Sequence, residues 1–309
     1  MSSGNRFAYL AAAGTVVLWA AAFPAITVAV AGLGVLGLSL LRLFTASVVL
    51  AIAAPFAGIR MPRRRDLPLI ALCGLAGMAL YQVLLNDGET VVPPGTASLL
   101  VATAPVFAGL LAGGFLGERQ GRRQWAGSAV ALAGVTVIAC SRGLSFGAAS
   151  LIVLAAAFVQ AVFHTAGKPL LSRYSGFEVT AYAMWAGTVF LLPWSGTAVA
   201  AVSRAPAGAV AAAVFLGVAP SALGFALWAY ALARLPVGRA TAWLYLVPAV
   251  AIGVSLVWLS QVPSLVSLGG GALAVGGVAV ASYRPRTAPA TQARQDGAAA
   301  TTTSLKSGA

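Results

Sequence analysis

The chain has 309 residues, of which 60% are hydrophobic and 8% charged, and its mean hydropathy is +0.92. A soluble domain carries roughly 25% charged residues, so this composition excludes a water-facing globular fold. The net charge of +13 would suit a polyanion binder, but the placement of the charges argues for a different origin, given below.

The apolar residues fall into blocks of about 20, the length that crosses a hydrocarbon core about 30 Å thick. Ten blocks predict ten transmembrane helices, at 7–29, 34–57, 68–88, 93–115, 124–141, 148–167, 177–196, 208–232, 238–259 and 266–283. The connecting loops are too short for a soluble catalytic domain. The first block, with "LAAAGTVVLWAAAF", is too long for a signal-peptide core and reads as a retained helix. It carries Trp19 and Phe23 and no acid.

The second block places Arg42 some eight residues into its helix. A buried arginine needs a partner, and Asp87 or Glu89 lies at similar depth; the alternative is snorkelling to the headgroups. The third block ends in "GMALYQVLLNDGETVVPP". Gln82, Asn86 and Glu89 fall at i, i+4 and i+7, so they share one helix face. Polar residues in a span normally face the bundle interior or water, which makes Gln82 and Asn86 candidates for a substrate cavity. Asp87 and Glu89 sit at the outer helix end, where plain solvation is the competing reading.

The fourth block sets Pro105 inside an apolar run, followed by Gly109 and Gly113. Proline is tolerated in a span where neighbours satisfy the freed carbonyl, and the glycines permit close helix approach. Two readings stand: a bend that shapes an internal cavity or flexes, or a static kink that packs well. The sixth block carries Gln160 and the sole histidine, His164, on one face. His164 is either a packed side chain or the one group that titrates near neutral pH. Tyr81, Trp19 and Trp228 complete the cavity candidates, and Pro248 repeats the proline in block nine. Residues 284–309 are polar and repetitive and read as a disordered tail.

Residues 79–139 align without gaps to 222–282 at a constant offset of 143, matching Pro93 to Pro236, Pro105 to Pro248 and Gly134 to Gly277. A weaker match pairs "WAAAF" (19–23) with "LAAAF" (154–158). The chain is thus expected to be two repeats, 7–141 and 148–283, of five helices each. Five is odd, so the second repeat enters the membrane from the opposite side. Inverted repeats of this kind are an architecture of secondary transporters, with the substrate site near the midplane. With both termini cytoplasmic, sixteen basic residues fall inside and only Arg142 and Arg204 outside, a positive-inside pattern. The basic charge therefore encodes topology in a cell membrane and not a nucleic-acid partner. The strong preference for Arg over Lys suggests a GC-rich bacterial genome.

The stretches "VVLWAAAFPAI", "LLRLFTAS" and "GTASLLVATAPVFAGLLAGGFLGER", repeated as "ATAWLYLVPAVAIGV" and "LGGGALAVGGVAV", resemble the EamA family of the drug/metabolite transporter superfamily. The resemblance covers residues 7–283. It implies an all-α integral membrane protein that moves a small metabolite, often outward. The family pattern closes each proline helix with Gly-Glu; here Gly117 and Glu118 keep it, whereas Ser260 and Gln261 do not.

No P-loop, metal-ligand spacing, cofactor motif or nucleophile with a base is present in the sequence, so no catalytic residue, metal site or cofactor is expected. Cys73 and Cys140 are isolated. The leading expectation is an exporter of a small metabolite such as an amino acid. A membrane-embedded lipid-processing enzyme and a non-transporting membrane partner protein are the alternatives. The oligomeric state stays open, a homodimer included.

Overall fold

A computed structural model of the chain describes residues 3–115, 122–140, 144–232, 234, 243, 246–260 and 264–282. The polar tail, Gly117, Glu118 and Gln261 lie outside them. The described residues are mostly helical, joined by short turns, and no strand occurs among them.

Helix α1 runs Ser3–Ala57, and its helical path is broken only at Gly34 (φ 65°, ψ 174°). That backbone region is open to glycine and strained for other residues, so the chain turns there and continues as a second helical segment. The linker expected at 30–33 is instead helical. After Gly58 (φ 63°), a 3-10 turn Arg64–Asp66 leads into α2 (Leu67–Cys73). The chain then passes through a π-helical segment, Gly74–Leu80, into α3 (Tyr81–Gly88).

Next come α4 (Pro94–Val101) and α5 (Ala104–Phe115), then α6 (Arg122–Cys140), α7 (Leu144–Leu171) and α8 (Gly176–Leu191). Helix α9 (Ser195–Arg204) and α10 (Ala207–Leu216) precede a second π-helical segment, Gly217–Leu223, which runs into α11 (Gly224–Leu232). Helices α12 (Val247–Leu259) and α13 (Leu265–Ser282) close the described chain.

Six helical stretches among the described residues are long and apolar enough to cross a membrane: Arg6–Ala57, Arg64–Gly88, Pro94–Phe115, Gly147–Leu171, Gly176–Arg204 and Ala207–Trp228. The first covers two of the blocks expected from the sequence. Packing relies on small side chains, which let helix backbones approach. One buried cluster joins Ala20, Ala25, Ile26 and Leu38 of α1 to Leu85, Leu100, Val153 and Leu216. A second joins Leu43 and Leu50 to Met78, Leu170, Tyr182 and Met184. Helices α6 and α13 form the most extensive single pair.

Two features recur at an offset of 143 positions. Both π segments do so, from Gly74 to Gly217 and from Leu80 to Leu223. The prolines do as well: Pro105 and Pro248 are each the second residue of their helices, α5 and α12. The apolar run 93–115 is interrupted at Ala102–Thr103, where the Thr103 N–H donates to the Leu100 carbonyl (3.1 Å). Pro105 thus lies in a first helical turn, where its missing N–H has no intrahelical partner to lose.

Candidate functional site

Each π segment begins with a glycine pressed against a neighbouring helix. A Cβ on Gly217 would fall 2.8 Å from the Arg42 carbonyl oxygen and 2.6 Å from Thr45 Cβ. A Cβ on Gly74 would fall 2.9 Å from the Ala183 carbonyl oxygen and 2.5 Å from Ala186 Cβ. The two contacts have the same form, a backbone oxygen and a side chain three residues further on. Arg42 in one repeat therefore corresponds to Ala183 in the other.

The second π segment contains Pro220, and helix α1 satisfies the carbonyls around it. Trp19 Nε1 donates to the Pro220 carbonyl (3.1 Å), and the Thr15 hydroxyl, which bonds the Ala11 carbonyl at 3.0 Å, also lies 3.3 Å from Gly224 O. Trp19 also stands 5.0 Å from the Phe225 ring and 5.7 Å from Trp228, which makes an apolar aromatic wall beside the break. One residue on from Pro220, Ser221 Oγ accepts from Arg42 Nε at 3.0 Å.

Arg42 is only 6% exposed, and Gln82, Asn86 and Glu89 are 3%, 0% and 4% exposed. Tyr81 and Glu89 lie close enough to the guanidinium to interact with it electrostatically. Glu89 Oε2 accepts a long bond from Thr27 Oγ1 (3.4 Å), and Asn86 Nδ2 donates to Ser39 Oγ (2.8 Å). Hydrogen-bonding capacity remains unspent: Arg42 Nη1, Gln82 Oε1, Asn86 Oδ1, Glu89 Oε1, Ser150 Oγ and Gln160 Oε1 are buried without a protein partner. Four of the six belong to Arg42, Gln82, Asn86 and Glu89.

The structure brings Tyr81 and Glu89 near Arg42 and buries Gln82 and Asn86 on the helix face that leads to Glu89. It leaves others elsewhere: Asp87 is exposed, and His164 is exposed on α7, its ring 5.3 Å from Phe163. Gln160 is half-buried, and Gly109 and Gly113 are partly exposed along α5. Ser221, Pro220 and Thr27 escaped the sequence reading. The signal for the first two was the Pro-Ser pair interrupting the apolar run of block eight.

At one end of the molecule a charged network ties residues 60–66 to residues 173–182. Arg60 Nε donates to Glu178 Oε1 (3.0 Å) and its Nη2 to Oε2 (3.3 Å). The Glu178 carboxylate holds the Arg60 guanidinium above its ordinary pKa, chiefly through this hydrogen bond. Ser175 and Glu178 also form a capping box at the start of α8. Asp66, buried, accepts from Arg173 and from the Tyr174 hydroxyl (2.8 Å), which itself accepts from the Arg63 N–H (2.8 Å).

Long apolar helices around a buried polar centre define a multi-pass membrane protein built to handle a small molecule. The model of the EamA-like transporter family matches residues 6–140 and again 147–283, so the chain belongs to that family and is a membrane transporter made of two EamA repeats. It is 58% identical over 271 residues to a probable terminal-alkyne amino-acid exporter of Streptantibioticus cattleyicolor, covering 87% of this chain and 91% of that one. It is 35% identical over 263 residues to an uncharacterized transporter of Bacillus subtilis, covering 84% and 86%. A solved crystal structure shares the fold with a TM-score of 0.60 at 21% identity, over 91% of this chain and 99% of that one.

Proposed function

We propose that the chain is a secondary transporter that exports a small amino acid with an apolar side chain, by alternating access between its two repeats. The observation that carries this is the buried set of unpartnered polar atoms beside an aromatic wall. Such a site suits a molecule with one strongly polar end and one apolar end. The relative named as a probable terminal-alkyne amino-acid exporter is named for molecules of that description, since an alkyne side chain is apolar and an amino acid's backbone is charged.

In this reading α1 counts as two spans divided at Gly34, and the chain crosses the membrane ten times as two inverted halves. Both termini are cytoplasmic in a bacterial inner membrane, as the positive-inside pattern supports. The repeated π segments and proline breaks support alternation, because discontinuous helices supply the deformable backbone that exchange between inward- and outward-open forms requires.

Counterflow in proteoliposomes tests the reading. Vesicles loaded with unlabelled L-propargylglycine should accumulate the labelled amino acid faster than empty ones. Absence of stimulated uptake across a panel of apolar amino acids would overturn it.

A further inference from the structure

We propose that Arg42 and the face formed by Gln82 and Asn86 of α3 with Glu89, the residue that follows it, are the two poles of a clamp for a zwitterion. Arg42 takes the α-carboxylate, and the three acceptors take the α-ammonium. The inference rests on the export reading above and assigns its recognition chemistry.

Charges at membrane depth are expensive unless paired. The direct way to pair Arg42 with Glu89 is an ion pair between them, yet each is engaged elsewhere. Arg42 spends its Nε on Ser221, and Glu89 spends one oxygen on Thr27. Both keep an unpartnered polar atom, Nη1 and Oε1 respectively.

The count of groups is specific. A primary ammonium has three N–H donors and no acceptor. Gln82 Oε1, Asn86 Oδ1 and Glu89 Oε1 are three unpartnered acceptors on one helix face at i, i+4 and i+7. The guanidinium, with its fork of donors, is the group best shaped for a carboxylate. Asn86 is held in register by its bond to Ser39, and Arg42 by Ser221, so both poles are positioned by second contacts.

The repeat relation supports recognition over scaffolding. At the offset of 143, the counterparts of Gln82, Asn86 and Glu89 are Phe225, Ala229 and Leu232, and Arg42 corresponds to Ala183. The second repeat builds the same backbone without these polar groups. The fold therefore does not require them.

The test is equilibrium binding to the purified full-length protein with three labelled ligands: L-propargylglycine, its carboxamide and its N-acetyl derivative. Wild type should prefer the free amino acid over each blocked analogue by about 100-fold, because the blocked forms leave buried charges unpaired. Arg42→Gln should weaken the free acid by about that factor while leaving the carboxamide unchanged. Glu89→Gln and Gln82→Met should erase discrimination against the N-acetyl form and retain discrimination against the carboxamide.

Equal weakening of all three ligands in these variants would overturn the clamp while leaving the export reading intact. So would unaltered discrimination. Should Arg42→Gln fail to fold, Gln82→Met decides alone by the same ratio. If wild type binds none of the three, the clamp and the amino-acid reading fall together.

Discussion

Gly217→Ala tests whether the π segment and the arginine helix are mechanically one unit. The added Cβ would fall 2.6 Å from Thr45 Cβ, 2.9 Å from Thr45 Cγ2 and 2.8 Å from the Arg42 carbonyl oxygen. Carbon atoms settle about 3.5–4.0 Å apart, so the two helices must separate by roughly 1 Å. No rotamer relieves the clash, because one of the atoms is backbone. Overpacking of this kind costs about 1–3 kcal/mol, against roughly 1 kcal/mol that alanine gains over glycine in a helix.

The same displacement lengthens the 3.0 Å bond from Arg42 to Ser221. Losing about 1.4 kcal/mol of positioning corresponds to tenfold in apparent affinity. The control is Gly253→Ala, where an added Cβ meets nothing within 4 Å. Thermal unfolding in one detergent should give Gly217→Ala a midpoint several degrees below both wild type and the control, with counterflow falling about tenfold in apparent affinity. A midpoint equal to that of Gly253→Ala, with unchanged transport, would refute the reasoning.

Four further outcomes are expected. Gly74→Ala, whose Cβ would sit 2.5 Å from Ala186 Cβ and 2.8 Å from Gly187 N, should lower the melting midpoint as Gly217→Ala does. Tyr174→Phe removes one partner of the buried Asp66 and should destabilise by about 1–3 kcal/mol, read from denaturant unfolding of the purified protein. Trp19→Phe keeps a ring beside Phe225 but leaves the Pro220 carbonyl without its indole donor, and should cost about 1 kcal/mol in the same measurement. Pro105→Ala and Pro248→Ala, singly and together, should leave the melting midpoint within a degree or two, because both prolines occupy first turns. Full counterflow in the double variant would reduce them to packing.

Much of this architecture was legible in the sequence because it depends on length and repetition. Apolar blocks of membrane length identified the class, and the offset of 143 anticipated a relation that the two π segments and both proline positions repeat. The polar face of α3 could be read from spacing alone, since i, i+4, i+7 depends only on helix geometry. What escaped depends on insertion and on contacts between distant segments. A π segment widens the turn by one residue, and nothing in the composition of Gly74–Leu80 announces that insertion. The bond from Arg42 to Ser221 joins positions 179 residues apart, and neither neighbourhood encodes the other. Gln160 and His164 share a spacing but not an environment: one has a buried oxygen and the other is exposed.

The network that fastens Arg60 to Glu178 and Asp66 to Arg173 has a consequence for the direction of work. The repeat counterpart of residues 60–66 is 203–209, with the sequence SRAPAGA and a single charge. Residues 60–66 are thus bolted by ionic contacts, whereas their repeat counterpart holds a single arginine. On the alternating-access reading proposed above, that difference would set the resting balance between the two access states. Each 1.4 kcal/mol by which the bolts favour closure at their own end shifts the populations tenfold. Two copies of one fold can thereby acquire a preferred idle posture, decided by a handful of side chains far from the cargo.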